Sequence, residues 1–342
     1  MEARIAHWKQ KWKIPGTSWT VSGYSRAAYR TGFQIPELGI MLDAGPQCFS
    51  NPKHIFITHT HGDHIANLPF TLIVDQGQDI HSEEFIKPTL YGPEEARVFI
   101  KNYISALFTT NAMTPHLRTQ IDQTYNYRGY TRALTDRINI KNTDYDLQIF
   151  ICDHAIKTIS YGFSSISKKL RDEYKGLKGT DIKALRESGV EITREVPTKK
   201  FAYICDTSIK VLETHPEILE YPLVFIECTF LYDDELDNAR KTKHIHWYQL
   251  RDYVRNNPQT TFLLMHFSLR YKNEEILEYF AKEMGLYDIS NLKVWAGDTT
   301  HEIIPIELSE DEKLEVIAQD FVRDILEKVV SDLCGLQSKI LV

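Results

Sequence analysis

Four apolar, strand-like runs in this chain stop abruptly on histidine or aspartate: "HIFITHTHGDH" (54–64), "LQIFICDH" (147–154), "FAYICD" (201–206) and "TTFLLMH" (260–266). Runs of this length and β-branched content belong in buried strands. A buried strand needs partners on both sides, so the chain is constrained to sheets. The polar endings are expensive to bury unless something binds them. Several strands must therefore end around a shared polar site.

The first run is the densest. His59, His61, Asp63 and His64 fall within six positions. Strand period puts His59 and His61 on one face, aimed at one point. Gly62 is read as the residue that lets the chain turn. Asp63 and His64 then aim at a second point. Imidazole and carboxylate suit divalent transition metals, and H-x-H-x-D-H can seed two of them about 3.5–4 Å apart, the spacing of two-metal hydrolysis. The remaining ligands are sought at the other strand ends. The expected assembly is His59, His61 and His154 on one metal, Asp63, His64 and His266 on the other, and Asp206 bridging them. An isolated strand-end histidine is usually a hydrogen-bonded or surface residue. His7, His54, His81, His116, His215 and His301 are read that way. Cys205, next to the bridge, is expected to face away into the core.

The rest of the chain supplies more strands and the helices that cover them. "SWTVSGY", "GFQIPE", "GIMLDAG" and "PTLYGP" read as strands, as do "KTISYGFSSI", "YPLVFIECTF" and "NLKVWAGDT". Helices are expected at "ANLPFTLIVDQG", "PEEARVFIKNYISALF", "HWYQLRDYVRN" and "NEEILEYFAKEMG". Residues 110–137 read as an irregular insertion, and "SKKLRDEYKGLKGTDIKALRESG" (167–189) as charged helical pieces. Strand-rich halves with interspersed helices predict two sheets packed face to face with helices outside. This domain is expected over 1–308. An amphipathic helical extension, opened by a capping box at Ser309 with Glu312, follows over 309–342.

No apolar run approaches the roughly 20 residues of a membrane span, and the five cysteines form no CxxC pair. These features predict an intracellular, cytoplasmic protein with no membrane partner. A net charge of −7 argues against general coating of polyanions, so nucleic-acid contacts must be local. "HWKQKWK" (7–13), "YNYRGYTRALTDR" (125–137) and the run Lys168, Lys169, Arg171, Lys175 and Lys178 are the candidate stretches.

"HTHGDH" resembles the signature of the metallo-β-lactamase superfamily, and the order His154, Asp206, His266 matches that superfamily's later metal motifs. The chain is more specifically similar to the tRNA 3′-processing endonucleases, tRNase Z (ribonuclease Z). "LYGPEEARVFIKNYISA", "DHAIKTISYGF", "FAYICDT", "IECTFL" and "MHFSLRY" carry this likeness from about residue 18 to 306. The resemblance implies a metallo-β-lactamase αββα sandwich and two divalent metal ions, zinc first and manganese second. It implies cleavage of RNA, such as a precursor tRNA trailer, by a water activated on the metals. It also implies a homodimer. The candidate catalytic residues are Asp63, Glu227 and His244, with Glu227 orienting and charging His244 as the acid for the leaving oxygen. His246 competes for that role or for substrate binding. Ser268 and Arg270 match positions that face RNA phosphate. The alternative is a small-molecule hydrolase of the same superfamily, acting on a β-lactam, a lactone or a cyclic nucleotide.

The chain departs from the family in three places. "VSGYSRAAY" replaces a Gly-rich loop, and Ile226 stands where the family has histidine. The family's tRNA-gripping arm has no recognisable motif, and the charged stretch 168–189 lies at its position.

Overall fold

The computed structural model describes residues 6–48, 50–73, 87–112, 124–298, 300–301 and, with single gaps, 303–325. Among these residues the chain forms two sheets. The first contains β1 (Trp12–Lys13), β2 (Thr20–Arg26), β3 (Arg30–Ile35), β4 (Ile40–Leu42), β5 (His54–Phe56), β6 (Thr89–Pro93) and β7 (Asn126–Tyr130), in that spatial order. Its β1–β4 portion is antiparallel and its β4–β7 portion parallel. The second contains β8 (Leu134–Ile140), β9 (Thr143–Cys152), β10 (Thr158–Leu170), β11 (Thr193–Ile204), β12 (Leu223–Glu227), β13 (Thr261–Met265), β14 (Leu292–Trp295) and β15 (Thr300–His301). Here β8–β11 are antiparallel, β11–β14 parallel, and β15 antiparallel.

The period-2 alternation of each strand decides the layers. On β12, Leu223 and Phe225 enter the core between the sheets, while Val224 and Ile226 enter the layer under the outer helices. On β13, Leu263 and Met265 go inward and Phe262 and Leu264 outward. The inter-sheet core is aromatic, with Phe33, Phe56, Tyr161, Phe163, Phe201, Tyr203, Phe225 and Trp295 all buried. Helices Trp247–Asn256 and Asn273–Tyr287 cover one outer face; Leu68–Ile73 and Arg97–Ala112 cover the other. This is the expected αββα sandwich.

Two expectations need correction. Residues 126–137 are not irregular: they form β7 and the start of β8. Residues 113–123 lie outside the described residues. The stretch from Ser167 to Leu170 is not helical but the far end of β10, paired with Thr193–Val196. β9 accompanies β10 only to Ser165. Beyond that, β10 and β11 run on as a two-stranded arm, closed by helix Gly179–Glu187. Ser167, Lys168 and Lys169 are exposed and offer a helix no apolar face, so the ladder to β11 is the stronger partner for their backbone. An arm therefore exists where the sequence showed no arm motif. At the C-terminus, the described residues from Glu310 to Ile325 are helical. Asp320 there pairs with Arg251 at 2.8 Å. Glu312 and residues 326–342 lie outside the described residues.

Candidate active site

The strand ends expected to share a site do converge, at one edge of the sandwich. β5 delivers His59 after Ile57 and Thr58, both buried, and His61 opens the short helix Gly62–Ile65. Gly62 is less special than its type suggested, since a Cβ there would meet open space. β9 delivers His154, β11 delivers Asp206, and β13 delivers His266, which takes a left-handed φ of 64° to turn into the site.

Two groups of ligand atoms result. In one, His59 Nε2 lies 3.0 Å from His61 Nδ1 and 3.5 Å from Asp206 Oδ2. His154 Nε2 lies 3.3 Å from His61 Nδ1 and 3.7 Å from Asp206 Oδ2. In the other, His64 Nε2 is 3.4 Å from Asp63 Oδ2, 3.3 Å from His266 Nε2 and 3.4 Å from Asp206 Oδ1. His266 Nε2 is 3.4 Å from Asp63 Oδ2 and 3.2 Å from Asp206 Oδ1. Ligands at about 2.0–2.1 Å around a tetrahedral ion stand about 3.3 Å apart. Both groups have that edge length, and Asp206 gives one carboxylate oxygen to each. The residues present thus fit two divalent ions.

The electrostatics agree. Burial, with His64 beside it, lowers the His59 imidazole to about 4, and burial also lowers His61 and His154. Burial pushes Asp63 and Asp206 up, but the imidazoles around them hold both well below the usual carboxylate range. Neutral imidazole and ionised carboxylate are the forms that bind metal. His64 behaves oppositely. Burial lowers it, yet Asp206, Cys205 and Asp43 raise it well above its ordinary value. A proton there supplies the positive charge that a cation would bring to these buried carboxylates.

The ring orientations are fixed from behind, as metal-binding imidazoles require. His64 Nδ1 donates to Asp43 Oδ2 at 3.0 Å. Thr58 Oγ1 donates to Asp43 and stands 3.0 Å from His59 Nδ1, and Tyr203 OH donates to Asp43 at 2.9 Å. His154 Nδ1 donates to the Lys243 carbonyl at 3.2 Å, and His266 Nδ1 lies 3.2 Å from Thr229 Oγ1. The sequence reading missed Asp43, although "GIMLD" is another apolar strand ended by an acid. Cys205 is buried in the inter-sheet core as expected, but it does not face away from Asp206: β11 ends at Ile204, so strand alternation no longer separates the next two residues, and Cys205 Sγ sits 3.3 Å from Asp206 Oδ1.

Beside this cluster lies a buried glutamate. Glu227 Oε1 accepts from Thr207 N–H at 2.9 Å and from His244 Nδ1 at 2.8 Å. Its Oε2 accepts from Thr229 Oγ1 at 2.6 Å and Thr229 N–H at 3.2 Å. Burial lowers the His244 imidazole, but Glu227 more than reverses this and raises it to about 9. With Nδ1 committed to Glu227, Nε2 is the nitrogen left to serve a ligand. His61, Asp63, Asp206, His244, His266 and Ser268 line one open cleft of about 770 Å³, and Arg270 stands at its rim. The Arg270 side chain is 63% exposed and pairs with Glu235 at 3.0 Å. His246 is not brought into the cleft. It caps helix Trp247–Asn256 by accepting from Tyr248 N–H at 3.1 Å, and its Nε2 donates to the Tyr232 carbonyl at 2.8 Å.

No family model matches the chain. It is 29% identical over 273 residues to tRNase Z TRZ1 of Arabidopsis thaliana, covering 78% of this chain and 91% of the plant protein. It is 28% identical over 272 residues to a ribonuclease Z of Methanococcus maripaludis, covering 74% of this chain and 79% of the archaeal one. Its fold is similar to that of YhfI, a metallo-β-lactamase fold protein from Bacillus subtilis, with TM-score 0.51 and 10% identity over 83% of this chain and 99% of that one. The chain is thus similar in sequence to ribonuclease Z proteins and has the metallo-β-lactamase fold.

Within a metallo-β-lactamase fold, the polar residues beyond the ligands have their own logic. Asp63 Oδ2 also accepts from Ala28 N–H at 2.9 Å, so the loop that replaces the Gly-rich segment still reaches the site through its backbone. Arg26, the last residue of β2, is buried and donates to the Phe267 and Ser268 carbonyls at 3.2 and 2.6 Å, which anchors the segment after His266. No signal short of the fold itself would have picked out these two contacts.

Proposed function

We infer that the chain is a metal-dependent endoribonuclease of the ribonuclease Z type, using two divalent ions, zinc in the first place, to cut precursor tRNA at its 3′ side. The observation that carries this reading is the pairing of buried Glu227 with His244 at the rim of a seven-ligand, Asp206-bridged site. Hydrolysing a phosphodiester at neutral pH needs an acidified water and a proton for the leaving oxygen, and this cleft has residues for both. The names of the relatives support RNA as the substrate.

Divalent ions bound there supply a water that deprotonates near neutrality and neutralise charge building on phosphate oxygens. His59, His61 and His154 hold one position, Asp63, His64 and His266 the other, and Asp206 both. Asp63, kept ionised and fixed by Ala28 N–H, is placed to accept a hydrogen bond from the attacking water. His244 donates the proton from Nε2 to the departing 3′ oxygen, and Glu227 holds the ring and keeps it charged. Ser268, in the cleft wall, and Arg270, at its rim, face the RNA backbone. The exposed arm, with Lys168 and Lys169, gives a polymer a second place to rest.

The homodimer implied by the family resemblance has a matching feature in Val98 and Phe99, which lie 55% and 67% exposed on helix Arg97–Ala112. Segment 309–342 is taken as an extension, and Asp320 within its described part pairs with Arg251 of the body. No helix among the described residues is long and apolar enough to cross a membrane.

The test is a side-by-side incubation of the zinc-loaded protein with precursor tRNA, unstructured RNA, bis-p-nitrophenyl phosphate and a chromogenic cephalosporin. Precursor tRNA should be cut at its 3′ side, and the nitrophenyl diester more slowly. Efficient turnover of the cephalosporin with intact RNA would overturn the reading in favour of a small-molecule hydrolase.

A further inference from the structure

Asp153 sits one residue before His154, and nothing so far gives it a role. Its Oδ1 accepts from Lys243 Nζ at 2.7 Å, and its Oδ2 accepts from Ser208 Oγ at 2.9 Å. Its backbone N–H donates to Thr207 Oγ1 at 3.2 Å, and its carbonyl accepts from Ser208 N–H at 2.9 Å. One residue thereby ties together three loops: its own, carrying His154; the one after β11, carrying Asp206; and the turn after helix Leu236–Thr242, carrying His244.

Lys243 is the unusual partner. It caps that helix with φ 57° and ψ 51°, the left-handed conformation that helix ends normally give to glycine. A side chain there is strained and persists only when its surroundings hold it. Two parts of the site depend on this one backbone. The Lys243 carbonyl receives His154 Nδ1–H, and the next residue is His244. A half-exposed ion pair adds little to global stability. It can still select one local conformation over another.

We propose that Asp153 and Lys243 are a positioning pair: their ion pair holds Lys243 left-handed, and this single conformation aims both the His154 imidazole and the acid His244. The proposal rests on the functional reading above, which takes His154 as a ligand and His244 as the acid.

The test compares Lys243→Met, Lys243→Gly, Asp153→Asn and the double variant Asp153→Asn with Lys243→Gly. Zinc affinity is read on metal-free protein by competition with a chromophoric chelator. Cleavage is read as the ratio of rates on RNA and on bis-p-nitrophenyl phosphate, whose leaving group needs little protonation. Lys243→Met and Asp153→Asn should each weaken zinc at the position that His154 helps hold about tenfold, the low end for losing support behind a ligand. Both should also depress RNA cleavage more than nitrophenyl cleavage. Lys243→Gly should stay near wild type in both readouts, because glycine takes this φ without strain. Adding Asp153→Asn to it should then cost little more. If Lys243→Gly is as damaging as Lys243→Met, the backbone is not what the pair controls and the proposal falls. It falls equally if the variants only melt earlier, with zinc affinity and the rate ratio unchanged. A wild-type protein that binds zinc but cleaves no RNA refutes the functional reading instead, and the zinc comparison still decides whether the pair aims His154.

Discussion

Replacing Glu227 by glutamine isolates the electrostatic half of the proposed acid. The change keeps the shape of a side chain that is fully buried and removes the charge 2.8 Å from His244 Nδ1. With Glu227 in place the imidazole is raised to about 9, so at pH 7.5 it is almost entirely protonated. Without that charge, burial is left as the larger influence, and it drives the imidazole back toward its ordinary value of about 6.5. At pH 7.5 roughly one ring in ten, or fewer, then carries the proton. At pH 6 most still do. An acid works only while protonated, so its activity is present at low pH and lost as pH rises through its pKa. The alkaline limb of kcat/KM for RNA should therefore move to lower pH in Glu227→Gln. The defect should be about tenfold or more at pH 7.5 and less than about twofold near pH 6. Two cations in the cleft lower both values with the same sign, so the separation between the two limbs is the quantity to measure.

The assay is kcat/KM against pH for both proteins, with metal content verified in each sample. Bis-p-nitrophenyl phosphate serves as the control, and its limb should move less. The amide cannot satisfy every donor that the carboxylate did: keeping its oxygen toward Thr207 N–H and His244 turns its NH₂ toward Thr229 N–H. One unmatched buried donor costs about 1–3 kcal/mol of stability, so melting temperature must be followed in parallel. Superimposable alkaline limbs would refute the argument, because they would show that Glu227 does not set the charge of the acid.

Two further outcomes follow from the site. Asp206→Ala should lower the content of both metals together and abolish cleavage of RNA and nitrophenyl substrate alike; elemental analysis that finds two ions retained would remove the bridge assignment. His246→Ala should cost about 1–2 kcal/mol in a melting experiment, through a lost helix cap and a lost hydrogen bond to the Tyr232 carbonyl, which keeps only Glu235 N–H, with cleavage per metal-loaded chain unchanged. A tenfold slower enzyme of undiminished stability would move the acid two residues along the chain.

The candidate ligand positions were legible in the sequence because their signal is local. An apolar run that ends on a titratable residue declares both a buried strand and a polar end. His59, His154, Asp206 and His266 each show it, and so does Asp43, which went unread. The arm was not legible, because its strands are specified by pairing with each other across 22 intervening residues rather than by their own composition. Lys168 and Lys169 look like a solvated helix until Arg194 and Glu195 are seen beside them. The Asp153–Lys243 contact joins residues 90 apart, and no local pattern announces it.

The departures from the family motif also acquire a physical reading once the strand faces are known. In "IECT", Ile226 and Cys228 belong to the apolar layer under the outer helices, while Glu227 and Thr229 turn to the site. A histidine at 226 would have to enter that apolar layer, so isoleucine there removes nothing from the cleft. Ile245, between His244 and His246, is buried in the same layer and obeys the same rule. In these two stretches replacement has occurred on faces that do not meet the ligand cluster, and Glu227, Thr229 and His244 have kept a chemistry able to serve the acid. Two side chains of the site serve only through conformations that ordinary residues resist, His266 directly and His244 through Lys243. Left-handed residues also occur away from the site, at the Lys141–Asn142 turn and at the helix end Asp288, but at His266 and Lys243 a small change in backbone direction re-aims a candidate ligand and the proposed acid.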